Sequence, residues 1–249
     1  MPYHPPLVQE RSASPSTLLT VTAAGLVVGI VVALPVGLLA GPIAGLVVLV
    51  VVTGGVAVIC WLTAGSLVLR LVGGTAPSLT EAGPARLANL IESVAVGVGV
   101  PEPALRVVED PGPNALVTGA DPRRSTLVVT SGLLDRLDRL ALEAVVAQQL
   151  SISRAGRTHR RDVAVIVLGT GGRVLPSLGR MAAAVAAEED ADVAAVAVTR
   201  YPPGLLGALD AAAAGPEVTT NPLLAPLWFA PPGLTDQLAL RLETMRELV

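Results

Sequence analysis

The stretch LEAVVAQQLSISRAG, residues 142–156, reads like a helix built for a catalytic metal, yet it contains neither histidine nor cysteine. Elsewhere, few side chains could hold an ion or move a proton. The single cysteine, Cys60, excludes an internal disulfide and any four-cysteine metal site, and its place in an apolar run gives it a packing role. His4 lies in a Pro- and Ser-rich tail and is read as solvated. His159, in RAGRTHRRD, follows a helix-ending glycine in a basic stretch and is read as a solvated loop histidine. The acidic run EEDAD, residues 188–192, has the form of an exposed helix start, with carboxylates near the positive end of the helix dipole.

The elements that must position these groups follow from periodicity. Leu137, Leu140, Ala144, Val145, Gln148 and Ile152 form one stripe, which predicts a helix from about Asp135 through Ser153. Leu87, Leu90, Ile91, Val94 and Val98 predict an earlier amphipathic helix, with Ser78 or Thr80 as its N-cap. ALRVVED and STLVVTSG are β-branched runs bounded by Pro, Gly and Asp and read as strands, with a third strand at Ala115–Thr118. MAAAVAAEEDADVAAVAVTR and GLTDQLALRLETMREL read as two further helices separated by the loop NPLLAPLWFAPPG. Helix, small sheet, then helices is an α+β pattern.

Between Ser12 and Leu69 there is no charged residue and no histidine, and the run breaks at Gly41-Pro42. Two spans near Thr17–Leu39 and Ile43–Leu67 would each cross a hydrocarbon core of about 30 Å, giving a transmembrane hairpin whose partner is the lipid bilayer. A cleaved signal peptide fits poorly, because the first run exceeds the usual apolar length and no basic cluster precedes it. Arg11 and Arg70 flank the hairpin on one side, so the positive-inside rule places both ends, and the soluble domain, in the cytoplasm. The expected organisation is a disordered tail over 1–16, the hairpin over 17–69 and a soluble domain over 70–249. The apolar run Val163–Gly172 is too short for a third span and is read as a buried helix or an interfacial segment. A net charge of −3, with all 17 basic residues arginine, gives no field to hold nucleic acid, so no nucleic-acid partner is expected. The Ala, Val, Leu and Gly content is of the kind GC-rich bacterial genomes impose.

Four separated blocks, PARLANLIESVAVGVGVPEPALRVVEDPGPNALVTG, STLVVTSGLLDRLDRLALEAVVA, EEDADVAAVAVTRYPPGLLGAL and LRLETMREL, together resemble the membrane-bound zinc metallopeptidases of the HtpX type, relatives of the CAAX prenyl proteases. The resemblance covers roughly residues 70–249 and implies a mainly helical zincin-like domain with a small sheet. It also implies a helix with H-E-x-x-H, where two histidines one turn apart hold zinc and the glutamate polarises the bound water. On this chain the first histidine falls on Gln148, the glutamate on Gln149 and the second histidine on Ile152. The third ligand of the family falls on Glu188, and its following acidic position on Asp192.

A neutral amide is a weak zinc ligand, isoleucine is none, and Gln149 has no basicity with which to take a proton from water. A catalytically inactive, membrane-anchored homologue is therefore expected, with no cofactor, serving as a peptide-binding or regulatory partner. An active relative in the same membrane or a peptide-like client would be its partner. The resemblance implies a peptide-binding sheet edge at Asn114, Ala115, Leu116, Val117, Thr118 and Gly119. Two alternatives stand beside this: an active zinc metalloendopeptidase of membrane protein quality control with a different ligand set, and a structural membrane subunit. If Glu188 faces the pocket without metal, it needs an arginine or water beside it, or it takes up a proton.

Overall fold

The structure, a computed structural model, describes residues 15–78, 82–172, 175–187, 189–219 and 221–247. Two long helices, α1 (Pro15–Ala40) and α2 (Pro42–Val72), are joined through Gly41 alone, whose φ of 97° favours glycine. They pack back on each other so closely that a Cβ on Gly45 would lie 2.8 Å from the Cα of Gly37. Their outer faces expose Ile30, Val31, Leu34, Leu38, Ile43, Val50, Ile59 and Leu62, and α2 is long and apolar enough to cross a membrane. The 31 residues of α2 extend about 46 Å, more than the roughly 30 Å of a hydrocarbon core. Its far end continues into the domain: Ala64 packs with Val163, while Val68 and Val72 pack with Leu116, Val128 and Trp228. Residues 1–14 of the expected tail, Arg11 and His4 among them, lie outside the described residues.

The remainder is the expected α+β domain. Its elements are α3 (Ala82–Val98), β1 (Ala104–Val108), β2 (Ala115–Gly119), β3 (Ser125–Thr130), α4 (Ser131–Arg136), α5 (Arg139–Arg154), α6 (Thr158–Ala164), α7 (Thr170–Gly172), α8 (Pro176–Ala186), α9 (Glu189–Thr199), α10 (Pro202–Ala214) and α11 (Thr235–Glu247). β3 is the central strand, parallel to β1 and antiparallel to β2, with Ala104 opposite Thr126 and Ala115 opposite Val129. Every residue of β2 and β3 is buried. The main core joins α3, α5, α10 and one face of the sheet through Leu87, Ile91, Leu127, Leu142, Leu150 and Leu205.

Several boundaries differ from the periodicity reading. The helix expected from Asp135 to Ser153 is two helices, because the carboxylate of Asp138 accepts a hydrogen bond from the Ala141 N–H (2.8 Å) and starts α5 afresh. The single helix read across MAAAVAAEEDADVAAVAVTR is α8 and α9, separated after Ala186, with Glu188 outside the described residues. α10 was not anticipated; Pro202 and Pro203 start it, as proline does in a first turn. Thr80 lies outside the described residues. The run Val163–Gly172 completes α6, widens into a π-helical turn over Val165–Gly169 and ends in α7, packed against the hairpin and α8. The loop NPLLAPLWFAPPG is not a spacer: it holds a 3-10 turn, Pro222–Leu227, and buries Trp228 and Phe229.

Candidate functional site

α5 is the central helix. From Ala141 to Ser153 only Glu143 escapes full burial, because the helix is packed between β2, α3, α9 and α10. Gln148, Gln149 and Ile152 are all buried. Gln149 Nε2 donates to Gln148 Oε1 (2.6 Å), and Gln148 Nε2 donates to Asp192 Oδ1 on α9 (3.3 Å). Asp192 is claimed in turn by Arg241 of α11, whose Nε donates to Oδ2 (2.7 Å) and whose second terminal nitrogen donates to Oδ1 (2.8 Å). The same guanidinium donates to the Phe229 carbonyl oxygen and lies over the Phe229 ring, 5.0 Å from its centroid. Two amides, a carboxylate and a guanidinium thus form one chain of hydrogen bonds. Its single negative charge is balanced by its single positive one.

Ile152 contributes no polar atom. It packs with Val117 of β2 and Ala191 of α9 in a small apolar cluster of their own. A cleft of about 730 Å³ opens beside them, with Ile152 and Ala191 among its lining residues and the charged side chains of Arg154, Arg157, Asp190 and Arg200 around it. Among the described residues, no three His, Cys, Asp or Glu side chains gather to hold a metal ion. The Oε1 atom of Gln149 is buried and accepts no hydrogen bond.

β2 is an edge strand, and its outer side is already engaged at two points. The Thr130 N–H donates to the Asn114 carbonyl (3.0 Å), so Leu116 and Thr118 also bond β3, while Ala115, Val117 and Gly119 direct their backbone groups outward. The outward Ala115 carbonyl accepts from the Phe229 N–H (2.7 Å). The Asn114 side chain grips Ala230, accepting from its N–H (2.9 Å) and donating to its carbonyl (2.6 Å). At the other end, the outward Gly119 N–H donates to Asp162 Oδ2 (3.0 Å). Asn114 to Gly119 are buried throughout.

Asp162, which no sequence motif marks, is a further buried carboxylate and, at 0% exposure, more deeply buried than Asp110 or Asp192. Besides Gly119 it accepts from the Thr118 hydroxyl (2.6 Å), and a Cβ on Gly65 of α2 would lie 3.4 Å from it. Burial pushes its pKa up from 3.8 to about 7, against the lowering effects of Thr118, Gly119 and the neighbouring Arg161. Arg161 is itself buried and donates to the Ala186 (2.9 Å) and Leu227 (3.2 Å) carbonyls. His159 is not a solvated loop residue: it stands in the first turn of α6, buried, with its ring edge-on to Trp61 of α2 at 4.3 Å between centroids. The clue in the sequence was a lone acid and a lone histidine directly ahead of an apolar run, where the helix turns inward.

Residues 81–199 match the model of peptidase family M48. The chain is similar to the protease HtpX homologue of Dictyoglomus turgidum, 31% identical over 183 residues, covering 59% of this chain and 60% of that one. It is similar to the homologue of Tropheryma whipplei (34% over 117 residues; 46% and 38% covered) and to that of Listeria monocytogenes (36% over 94 residues; 38% and 31% covered). The chain spans about three fifths of the length of the Dictyoglomus relative.

Two outcomes follow from the buried carboxylates. Truncating Arg241 to Ala strands Asp192, whose side chain is 5% exposed, and should lower the unfolding free energy by about 2–4 kcal/mol, measured by denaturant titration in detergent. Adding Asp192→Asn to that variant should recover part of the loss; equal losses in both would remove the ion pair from the account. For Asp162 the native state holds its proton to higher pH than the unfolded chain does. Stability therefore falls as pH rises from about 4 to about 7 and levels off above. Asp162→Asn should flatten that slope in the same titration, and an unchanged slope would contradict the assignment.

Proposed function

Because this chain belongs to peptidase family M48 and is of the HtpX type, we propose that it is a membrane-anchored member without peptidase activity, kept for binding or regulation. The observation that carries the reading is Gln149. At the position where the resemblance implies the water-activating glutamate stands a fully buried amide, hydrogen-bonded to Gln148. It has no proton affinity to offer. The surroundings support the same conclusion: Gln148 is engaged with Asp192, Asp192 is engaged with Arg241, and Ile152 sits in an apolar cluster. These residues do not fit zinc, which needs about three anionic or imidazole donors.

The partner is an active relative in the same membrane or a peptide-like client. A peptide adding to Asn114–Gly119 must first displace Phe229 and Ala230 from that edge. The occupied edge favours a second reading, a structural membrane subunit that binds no peptide. The hairpin, with Arg70 next to its exit, supports a multi-pass protein of the bacterial inner membrane with its soluble domain in the cytoplasm.

Purified in detergent and dialysed after exposure to zinc, the chain should hold no stoichiometric zinc and show no chelator-sensitive cleavage of an unfolded membrane protein. Zinc near one per chain together with such cleavage would overturn the proposal in favour of an active enzyme with another ligand set. The Gln148→His, Ile152→His variant should gain zinc, and Glu188→Gln should abolish the gain. Topology is tested separately. Reporters fused after Met1 and after Val249 should both report cytoplasm, and a split result would contradict the hairpin.

A further inference from the structure

On α2 Leu62 is still 74% exposed, while two and three residues later Ala64 and Gly65, on another side of the helix, are already packed against the soluble domain. Two turns of that domain meet α2 at this level. The β2–β3 turn starts at Gly119, whose Cα would lie 3.3 Å from a Cβ on Gly65. The α5–α6 turn leads into the first turn of α6, where His159 is stacked edge-on against Trp61. Both turns are rich in arginine: ADPRR (120–124) and RAGRTHR (154–160) hold five arginines and one aspartate. Arg123, Arg124 and Arg154 are exposed, whereas Asp121 is engaged as the cap that accepts from the Arg123 N–H, and Arg157 faces Asp190 at 3.7 Å.

A net positive surface is thus fixed where the apolar hairpin gives way to polar protein, with a tryptophan at the same height, the residue favoured at that depth of a bilayer. We propose that these two turns form a collar that binds the headgroups of anionic phospholipids, Arg123, Arg124 and Arg154 being the principal contacts. Guanidinium pairs with phosphate through two parallel hydrogen bonds, and the surrounding low dielectric strengthens each pair. Anionic lipid would also hold the β2–β3 turn, and with it Gly119 and Asp162, against α2. The proposal rests on the membrane reading above.

Trp61 is the probe, because the only other tryptophan, Trp228, is buried in the core and can be replaced in a Trp228→Phe background. The full chain is reconstituted in vesicles of phosphatidylcholine and phosphatidylglycerol in equal amounts, with one or the other lipid brominated near its headgroup. Quenching by brominated phosphatidylglycerol should exceed that by brominated phosphatidylcholine several-fold, and the excess should shrink with salt. Arg123→Gln, Arg124→Gln and Arg154→Gln together should bring the two within about twofold, since each surface arginine contributes about fivefold to anionic-lipid attraction. Equal quenching in the parent, or an excess untouched by the triple variant, would overturn the collar while leaving the hairpin in place. Quenching by neither lipid would remove the membrane reading and the collar together. If inorganic phosphate at constant ionic strength erases the excess, the arginines bind free phosphate and the lipid assignment fails.

Discussion

A carboxylate buried against the central helix must be neutralised, and the fold of the C-terminal third is arranged around that requirement. Asp192 projects from α9 toward α5, where only the amide of Gln148 meets it from that side. Arg241 supplies the missing charge through two hydrogen bonds, which draws α11 over α9. Its third nitrogen donates to the carbonyl of Phe229, and the N–H of Phe229 in turn holds the outer side of β2 at Ala115. One ion pair therefore ties the helix of the candidate site, the C-terminal helix and the sheet edge together. Loosening it would expose the edge and the site at once.

The other end of the same strand depends on the α1–α2 hairpin. α2 continues from its apolar stretch into the domain without a break and presents Gly65, a residue with no side chain, to the Gly119 end of β2. Asp162 lies in that junction and accepts from Thr118 and Gly119, so the strand is held at both ends by buried polar groups from distant elements. With its carboxyl half-protonated near neutrality, Asp162 costs less than a permanent buried charge would. The soluble domain is consequently built on α2 rather than tethered to it.

The parts legible in the sequence were those written in local periodicity. The α2 span, the stripe on α3 and the β-branched runs of β1 and β3 each announce themselves within a dozen residues, and the four ordered blocks carried the family. What was not legible depends on partners far apart in the chain. Asp138 looks like one more polar residue in a helical stripe until its side chain is seen to cap α5. NPLLAPLWFAPPG has the composition of a loop, and nothing local reveals that Phe229 completes a sheet edge 114 residues earlier. His159 reads as solvated because its neighbours are arginines, yet Trp61 buries it. The sequence points to Glu188 as the acid in need of a cation, and Glu188 lies outside the described residues; the pairing of Asp192 with Arg241, 49 residues apart, leaves no local trace.

Charge balance makes the residues at 148, 149 and 152 depend on one another. A divalent cation at this place would compensate a cluster of carboxylates, and in its absence each added buried negative charge needs its own cation. Arg241 is already committed to Asp192 with both faces of its fork. A glutamate at position 149, fully buried and with no second arginine nearby in the hydrogen-bond chain, would take up a proton or strain the packing of α5. An amide at 149 avoids that cost and keeps one donor satisfied by Gln148, at the expense of one carbonyl oxygen left without a donor. A neutral imidazole at 152 would face Val117 and Ala191 with nothing to bond, whereas isoleucine fills the same space with contacts. The three residues suit an interior whose only compensating cation is Arg241, and they are mutually dependent: a polar group introduced at one of them alone is left buried and unpaired.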